Sequence, residues 1–324
     1  MPARERERPV SLTVRQFYEA ARQPLGLHIE AGADYLDQPI SEVALNRPGL
    51  ALAGFFNYFA QRRVQVLGLA EHSYLKSLAP AEQAIRLGAL FKRRIPALVI
   101  TRGRRATDQM RRLAQQYRIP VLRTSLITGR FINEATVLMA GLVAPTMRVH
   151  GTTVDILGIG VMIEGEPGIG KSETALTLIE RGHSLVADDI TVLRRGSDLA
   201  IVASAVEITR YHMEIRGLGI IHVPSLFGVA SMRKDARLDL IVRLQRLSPE
   251  FEHDRSGLTP QSREVLGVSI PLITLPVAAG RDLAHVVEVA ALNEKLKHLG
   301  HDAAKELDEK LIQKFAQKRG MSIE

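Results

Sequence analysis

A chain of 324 residues carrying Gly165-Glu166-Pro167-Gly168-Ile169-Gly170-Lys171-Ser172 has few folds open to it, because this octet fits the phosphate loop G-x-x-x-x-G-K-[ST] at every fixed position. Four constrained positions match by chance in about one chain in a hundred of this length, so the flanks decide. Val154 to Ile163 is rich in β-branched and aliphatic residues, and Glu173 to Arg181 places Ala175, Leu176, Leu178 and Ile179 at helical spacing. Strand, glycine loop and helix follow in the required order. Several backbone N–H groups must converge on a phosphate chain, and glycines let the main chain wrap that closely. A helix beginning near Lys171 turns its positive dipole end toward the anion, Lys171 reaches the outer phosphates, and the Ser172 hydroxyl ligates magnesium. Pro167 removes one N–H from the loop. The plain alternative is a glycine-rich strand-to-helix turn with an incidental lysine.

Composition narrows the function by exclusion. With 46% apolar and 24% charged residues the chain reads as globular, with room for two domains. The absence of cysteine excludes disulfides, cysteine-ligated zinc and thiol catalysis. Met1 to Val10 is Arg/Glu-rich without an apolar signal core, and no run of eighteen apolar residues occurs, so neither export nor membrane spanning is expected and the cytoplasm is. The net charge of +8 is uneven: residues 1–145 hold 21 Lys+Arg against 11 Asp+Glu, and residues 146–324 hold 22 against 24. Between Arg86 and Arg130 stand twelve basic residues and one acid, Asp108, a density that attracts nucleic acid or an acidic protein where it is unpaired. A solvated basic face without a partner is the bland reading. Only Phe91 and Tyr117 interleave it, which is poor for single-strand stacking.

Along the chain, Val10 to Ala21 reads as a short helix, with turn residues at Pro24, Gly26 and Gly32. Leu50 to Ala60 sets Phe55, Phe56 and Phe59 at helical spacing, as core. Strands at Val64 to Leu69, Ala97 to Thr101 and Val121 to Thr124 then alternate with helices at Pro80 to Phe91, Arg105 to Tyr117 and Thr128 to Leu142. This alternation implies βαβ units and a parallel sheet. Residues 1–143 are expected as an N-terminal α/β domain without a catalytic constellation, joined at Ala144-Pro145 to a domain of residues 144–324. From Met147 the pattern changes to short strands at Arg148 to Asp155, Leu157 to Ile163, Leu185 to Ala187, Ile190 to Leu193, Ala200 to Ala203, Leu238 to Leu244 and Ile270 to Val277. Two amphipathic helices, Leu283 to Leu299 and Ala303 to Lys318, follow, with Gly300 placed as a C-cap.

Chemistry-bearing residues gather around the loop. Leu185-Val186-Ala187 runs into Asp188-Asp189, and a strand end opposite a phosphate loop is where a carboxylate meets magnesium. Of two adjacent acids, one can hold the metal and one accept a proton from an attacking hydroxyl; strand alternation would separate them, which argues for a turn. A mere surface turn is the alternative. Glu214-Ile215-Arg216-Gly217-Leu218-Gly219 joins a carboxylate, a guanidinium and two glycines, a composition suited to a mobile anion-handling loop. His150 precedes the loop strand, and alone it reads as a structural histidine. Arg255 defaults to solvent, and Arg281 ends a loop able to grip a second phosphate.

Set in order, these blocks resemble one family. His150-Gly151-x-x-x-Asp155-Ile156-x-Gly158, the phosphate loop with Glu173-Thr174-Ala175-Leu176, Arg181-Gly182-His183, Ala187-Asp188-Asp189, the Glu214 to Ile221 block, Asp254-Arg255 and Pro276 to Arg281 are similar to the bacterial HPr kinase/phosphorylases across about residues 147–300. Pro167 departs, standing where the family usually carries Ser. The resemblance implies a P-loop kinase domain, PEP-carboxykinase-like, with a mixed sheet and C-terminal helices. It implies a bifunctional enzyme: with ATP or pyrophosphate it phosphorylates a regulatory serine of HPr, the phosphocarrier of the sugar phosphotransferase system, and with inorganic phosphate it removes that phosphoryl group as pyrophosphate. By the same resemblance Gly165 to Ser172 bind nucleotide, and Ser172 with Glu214 hold Mg2+. Asp189 is the base that becomes the acid in reverse, with His150, Lys171 and Arg255 as the remaining catalytic positions. Met213-Glu214-Ile215-Arg216-Gly217-Leu218-Gly219-Ile220-Ile221-His222 would serve both reactions, and Pro276-Val277-Ala278-Ala279-Gly280-Arg281 mainly dephosphorylation. A homohexamer is also implied. Competing readings are a small-metabolite kinase, disfavoured by the Glu214 and Pro276 blocks, and a nucleotide-gated nucleic-acid-binding regulator using the basic stretch.

Overall fold

Thr13 decides where the first helix begins. Its hydroxyl accepts the Gln16 N–H while the Gln16 side chain accepts the Thr13 N–H, a reciprocal cap that starts the helix at Val14 rather than at Val10 as expected. The computed structural model describes residues 12–196, 198–246, 261–278 and 280–318. The chain divides into two compact units, Met1–Ala144 and Pro145–Glu324.

The first unit runs β1 (Leu12–Thr13), α1 (Val14–Ala21), β2 (His28–Ala31), β3 (Pro39–Ile40), α2 (Gly49–Leu52), β4 (Gln65–Leu67), α3 (Leu69–Ser77), α4 (Pro80–Phe91), β5 (Leu98–Ile100), α5 (Asp108–Tyr117), β6 (Val121–Arg123) and α6 (Thr128–Val143). β4, β5 and β6 are parallel, as the alternation requires, and β2 adds an antiparallel edge in the order β2-β6-β5-β4. Phe17, Phe131 and Met139 fill one core cluster, and Leu90, Phe91 and Met110 another. The helix expected over Leu50 to Ala60 stops at Leu52, because Gly54 and Tyr58 take φ of 100° and 60°. Phe56 and Phe59 still meet edge to face, while Phe55 is exposed.

The basic stretch is partly spent inside this unit. Arg86 pairs with Glu82, Arg130 with Glu134, Arg93 lies over the Phe56 ring, and Arg111 and Arg123 both reach Glu30. Burial works to raise the Glu30 carboxyl, but hydrogen bonds from Arg123, the Ala106 N–H and Arg111 outweigh it and hold the group below the ordinary range.

The second unit runs β7 (Thr146–His150), β8 (Thr152–Ile156), β9 (Ile159–Glu164), α7 (Lys171–Glu180), β10 (Ser184–Ala187), β11 (Ile190–Arg195), β12 (Ile201–Ala205), β13 (His212–Ile215), β14 (Gly219–His222), α8 (Val223–Phe227), β15 (Asp235–Arg246), β16 (Gln261–Val265), β17 (Val268–Val277), α9 (Leu283–His298) and α10 (Ala303–Lys318). The single strand expected over Arg148 to Asp155 is two, broken at Gly151, and Leu157 belongs to a tight turn at φ 52° rather than to a strand. Its sheet is mixed: β15 lies parallel to β9 and β17, and the remaining pairs are antiparallel, in the order β10-β8-β9-β15-β12-β11-β7. The outer strands are not remote in sequence, since β7 passes into β8 through Gly151 and β10 into β11 through Asp188-Asp189. The sheet therefore curls until its two ends approach at those residues. Met162, Leu193, Ile201 and Ile241 join one core cluster, and Val161, Ile163, Leu178 and Val287 join another that includes α7 and α9.

Gly160 shows how tightly β9 fits. A Cβ there would overlap the Arg237 carbonyl oxygen, and its N–H donates to Asp239 Oδ2 at 3.0 Å where the β9–β15 register slips between Leu238 and Leu240. Gly160→Ala should destabilise the second unit by about 3 kcal/mol or more, read as a lowered urea midpoint. A second expectation concerns His72 in α3, buried with no partner for Nε2 among the described residues. Burial, then Arg104 and Lys76, push its pKa below the usual value. The unfolded chain therefore takes up this proton first, so the contribution is intact above about pH 6.5 and is lost as pH falls through the folded value. His72→Gln should flatten the acid limb of the first unit's stability profile, measured by thermal melts from pH 8 to 5.

Candidate active site

Each piece of the site is placed by a local rule. β9 is buried throughout and ends at Glu164, whose carboxylate is bound by Arg243 Nη2 at 2.7 Å, by Arg243 Nε at 2.8 Å and by Arg263 Nη1. The chain then turns at Gly165, at φ 151°, where a Cβ would stand 2.6 Å from the Leu244 carbonyl oxygen. Gly168 and Gly170 also take positive φ, of 77° and 105°, and Gly170 caps α7 without a side chain, leaving the helix N-terminus bare. Lys171 Nζ folds back to the carbonyls of Gly165 at 3.0 Å and Glu166 at 3.1 Å. Pro167 is exposed, Ile169 is buried, and the Ile169 N–H closes the loop on Glu166 O at 3.3 Å.

The two acids part company at the turn. Asp188 Oδ1 accepts from Ser172 Oγ at 3.0 Å and from Thr152 Oγ1 at 2.8 Å, and Oδ2 accepts the Glu214 N–H at 3.2 Å. Asp189 takes φ 59°, and its side chain is exposed, with Oδ1 lying 3.8 Å from His150 Nδ1. The expected turn is thus present, and it aims one carboxylate inward and one outward.

The Met213 to His222 block, expected as a loop, is the hairpin of β13 and β14, with Met213 buried and Arg216-Gly217-Leu218 at its turn. Arg216 reaches the phosphate loop: a Cβ on Gly168 would lie 2.6 Å from its guanidinium. Ile215 and Ile221 pack on the buried core, whereas Ile220 and Leu218 are exposed. Pro276 and Val277 end β17 beside Gln245 and Arg246 of β15, and Arg281 Nη1 donates to Pro276 O at 3.4 Å while its N–H meets Ala278 O. Gly280, at φ 77°, makes that bend, and Asp282 behind it caps α9 and binds Arg181 at 2.6 Å. Arg255 and Ala279 lie outside the described residues.

A cleft of about 470 Å³ opens beside this constellation, lined by His150, Glu164, Gly165, Glu166 and the Arg243 to Arg246 end of β15. It lies at the carboxyl ends of two parallel strands, where open α/β sheets bind ligands. The oxygen set of Ser172 and Asp188, 3.0 Å apart, suits a hard divalent cation such as Mg2+. Ser172, Asp188 and Glu214 stand out in the sequence, but Thr152 does not, because a threonine in a buried strand looks like an ordinary β-former.

The profile described as HPr Serine kinase C-terminal domain matches residues 142–311, and that described as HPr Serine kinase N terminus matches residues 12–139. The chain belongs to the HPr serine kinase family. A relative described as HPr kinase/phosphorylase from Caldicellulosiruptor bescii is 41% identical over 88% of this chain and 91% of its own. Another of that description, from Chloroherpeton thalassium, is 40% identical over 94% and 91%. A solved Hpr(Ser) kinase/phosphatase from Coxiella burnetii is 32% identical with a TM-score of 0.45, over 50% of this chain and 98% of that one.

For a member of the HPr serine kinase family, the Thr152 contact makes a specific demand. Thr152→Val keeps the shape and removes one donor from Asp188, and should lower phosphoryl-transfer turnover about tenfold, measured as kcat with nucleotide saturating.

Proposed function

We propose that this protein is a bifunctional protein-serine kinase and phosphorylase whose substrate is the phosphocarrier HPr. The observation that carries the reading is convergence: the Asp188 carboxylate is bound at once by the phosphate-loop Ser172 and by the Glu214 N–H of the hairpin, with Asp189 exposed next to it.

In the forward direction the HPr serine hydroxyl attacks the terminal phosphorus of ATP or pyrophosphate. The bridging P–O bond breaks, ADP or phosphate leaves, and the serine proton passes to Asp189. In reverse, inorganic phosphate attacks the phosphoserine phosphorus, the serine O–P bond breaks, Asp189 returns a proton to the serine oxygen, and pyrophosphate leaves. Microscopic reversibility lets one carboxylate serve both directions by exchanging its protonation state. Gly165 to Ser172 cradle the phosphates, Lys171 and Arg216 supply positive charge, and His150 stands beside the base. Bound Mg2+, for which Ser172, Glu214 and Asp188 are the proposed holders, neutralises phosphate charge. Arg255, the Pro276 to Arg281 role in dephosphorylation, homohexameric assembly and a cytoplasmic location rest on the family resemblance. Among the described residues no helix is long and apolar enough to cross a membrane.

The test mixes full-length protein, ATP, Mg2+ and HPr, looks for one added phosphoryl group by intact mass, then adds inorganic phosphate and looks for its loss with pyrophosphate release. An unmodified HPr would refute the reading. Asp189→Asn should lose about 10²- to 10⁴-fold in both directions while retaining ATP binding; retained kinase turnover would transfer the role of base to Asp188.

A further inference from the structure

The open end of the β13–β14 hairpin holds a pair of imidazoles to which the proposed phosphoryl-transfer steps assign no role of their own, although His222 closes the Met213 to His222 block. His212 and His222 are direct cross-strand partners, both exposed, with ring centres 5.1 Å apart and planes tilted by 57°. His212 Nδ1 lies 3.0 Å from the Arg210 carbonyl oxygen, and since a carbonyl only accepts, Nδ1 carries the proton and Nε2 keeps a free lone pair. His222 Nδ1 lies 2.7 Å from Ser225 Oγ, and a hydroxyl can accept, so the same tautomer is open to His222. A ring whose Nδ1–H is anchored and whose Nε2 is free is in the form that metal-binding histidines adopt.

The spacing fits as well. With M–N bonds of about 2.0–2.1 Å and nitrogens about 1.1 Å from the ring centre, two imidazoles on one tetrahedral ion have centres about 5.2 Å apart. The observed separation is 5.1 Å. Cross-strand pairing alone already brings two rings this close; what it does not explain is that each Nδ1 is hydrogen-bonded while neither Nε2 has a partner among the described residues.

We infer that His212 and His222 form a binding site for a nitrogen-preferring divalent transition ion of the zinc class. Among the described residues no third His, Cys, Asp or Glu completes a cluster, so water fills the remaining positions and the ion is exchangeable. Mg2+, which demands oxygen ligands, does not compete for two imidazoles. An ion here ties β13 to β14 at the end away from the Arg216 turn, and so restrains the strand that presents Glu214. The site goes beyond the proposed function and does not depend on it.

Untagged full-length protein with Mg2+ in excess is titrated with Zn2+ by calorimetry, alongside His212→Ala, His222→Ala and His222→Gln. Both side chains are exposed, so far-UV circular dichroism should match the parent, and His222→Gln provides a polar replacement of similar reach. The expected result is one Zn2+-binding step in the parent that each single variant weakens about tenfold or more, because removing either ring turns chelation into single-point binding. Any folded single variant that binds Zn2+ with the parent's stoichiometry and affinity would overturn the assignment.

Discussion

The Asp188 carboxylate is the point through which the second unit is assembled into a site. Three donors from three elements meet on it: a threonine of β8, the first-turn serine of α7 and a backbone N–H of β13. None of these segments is adjacent to another in sequence. A carboxylate is one of the few groups able to accept several such bonds at once, and leaving its donors unpaired would cost more than each bond contributes. The phosphate loop and the hairpin are consequently held in one frame.

Around that frame the protein uses charge pairs as struts. Glu164 holds Arg243 and Arg263 just before the chain leaves β9, so the loop begins from a fixed end. At the far end of α7, Arg181 binds Asp282 and Glu288, and His183 binds Glu288 at 3.0 Å. The His183 bond, with Arg181 behind it, holds the Glu288 carboxyl below its usual range despite some burial, while the His285 N–H and then Arg181 do the same for Asp282. The exposed Arg181–Asp282 pair contributes little net energy, whereas loss of Arg243 or Arg263 would leave the largely buried Glu164 carboxylate short of a partner, which makes that cluster a locator more than glue.

Much of this was legible in advance because the governing constraints are local. The glycine octet, the acid pair and the βαβ alternation each rest on a few residues with a fixed geometric task. What escaped the sequence depended on distant partners. β2 was hidden because His28-Ile29-Glu30-Ala31 is short, with Glu30 turned to Arg111 and Arg123, 81 and 93 positions away in sequence. The break at Gly151 is easily missed because Arg148 to Asp155 is one run of β-type residues around a single glycine, and the two halves pair in different parts of the curled sheet. The phenylalanines of Leu50 to Ala60 had helical spacing, yet a four-residue helix and two turns bring Phe56 and Phe59 together equally well. Thr152 and the Arg216 contact with Gly168 are tertiary facts without a local sign.

The left-handed backbone at Asp189 has a consequence for which side chains the position can accept. Among carboxylic acids, the shorter one tolerates that conformation readily, whereas a longer acid would retain the functional group and add conformational strain on the order of 1 kcal/mol. Chemistry and main-chain shape thus select the same residue independently. A glutamate could still present an acid there, but from a bend it does not favour and with an extra methylene between the bend and its oxygens.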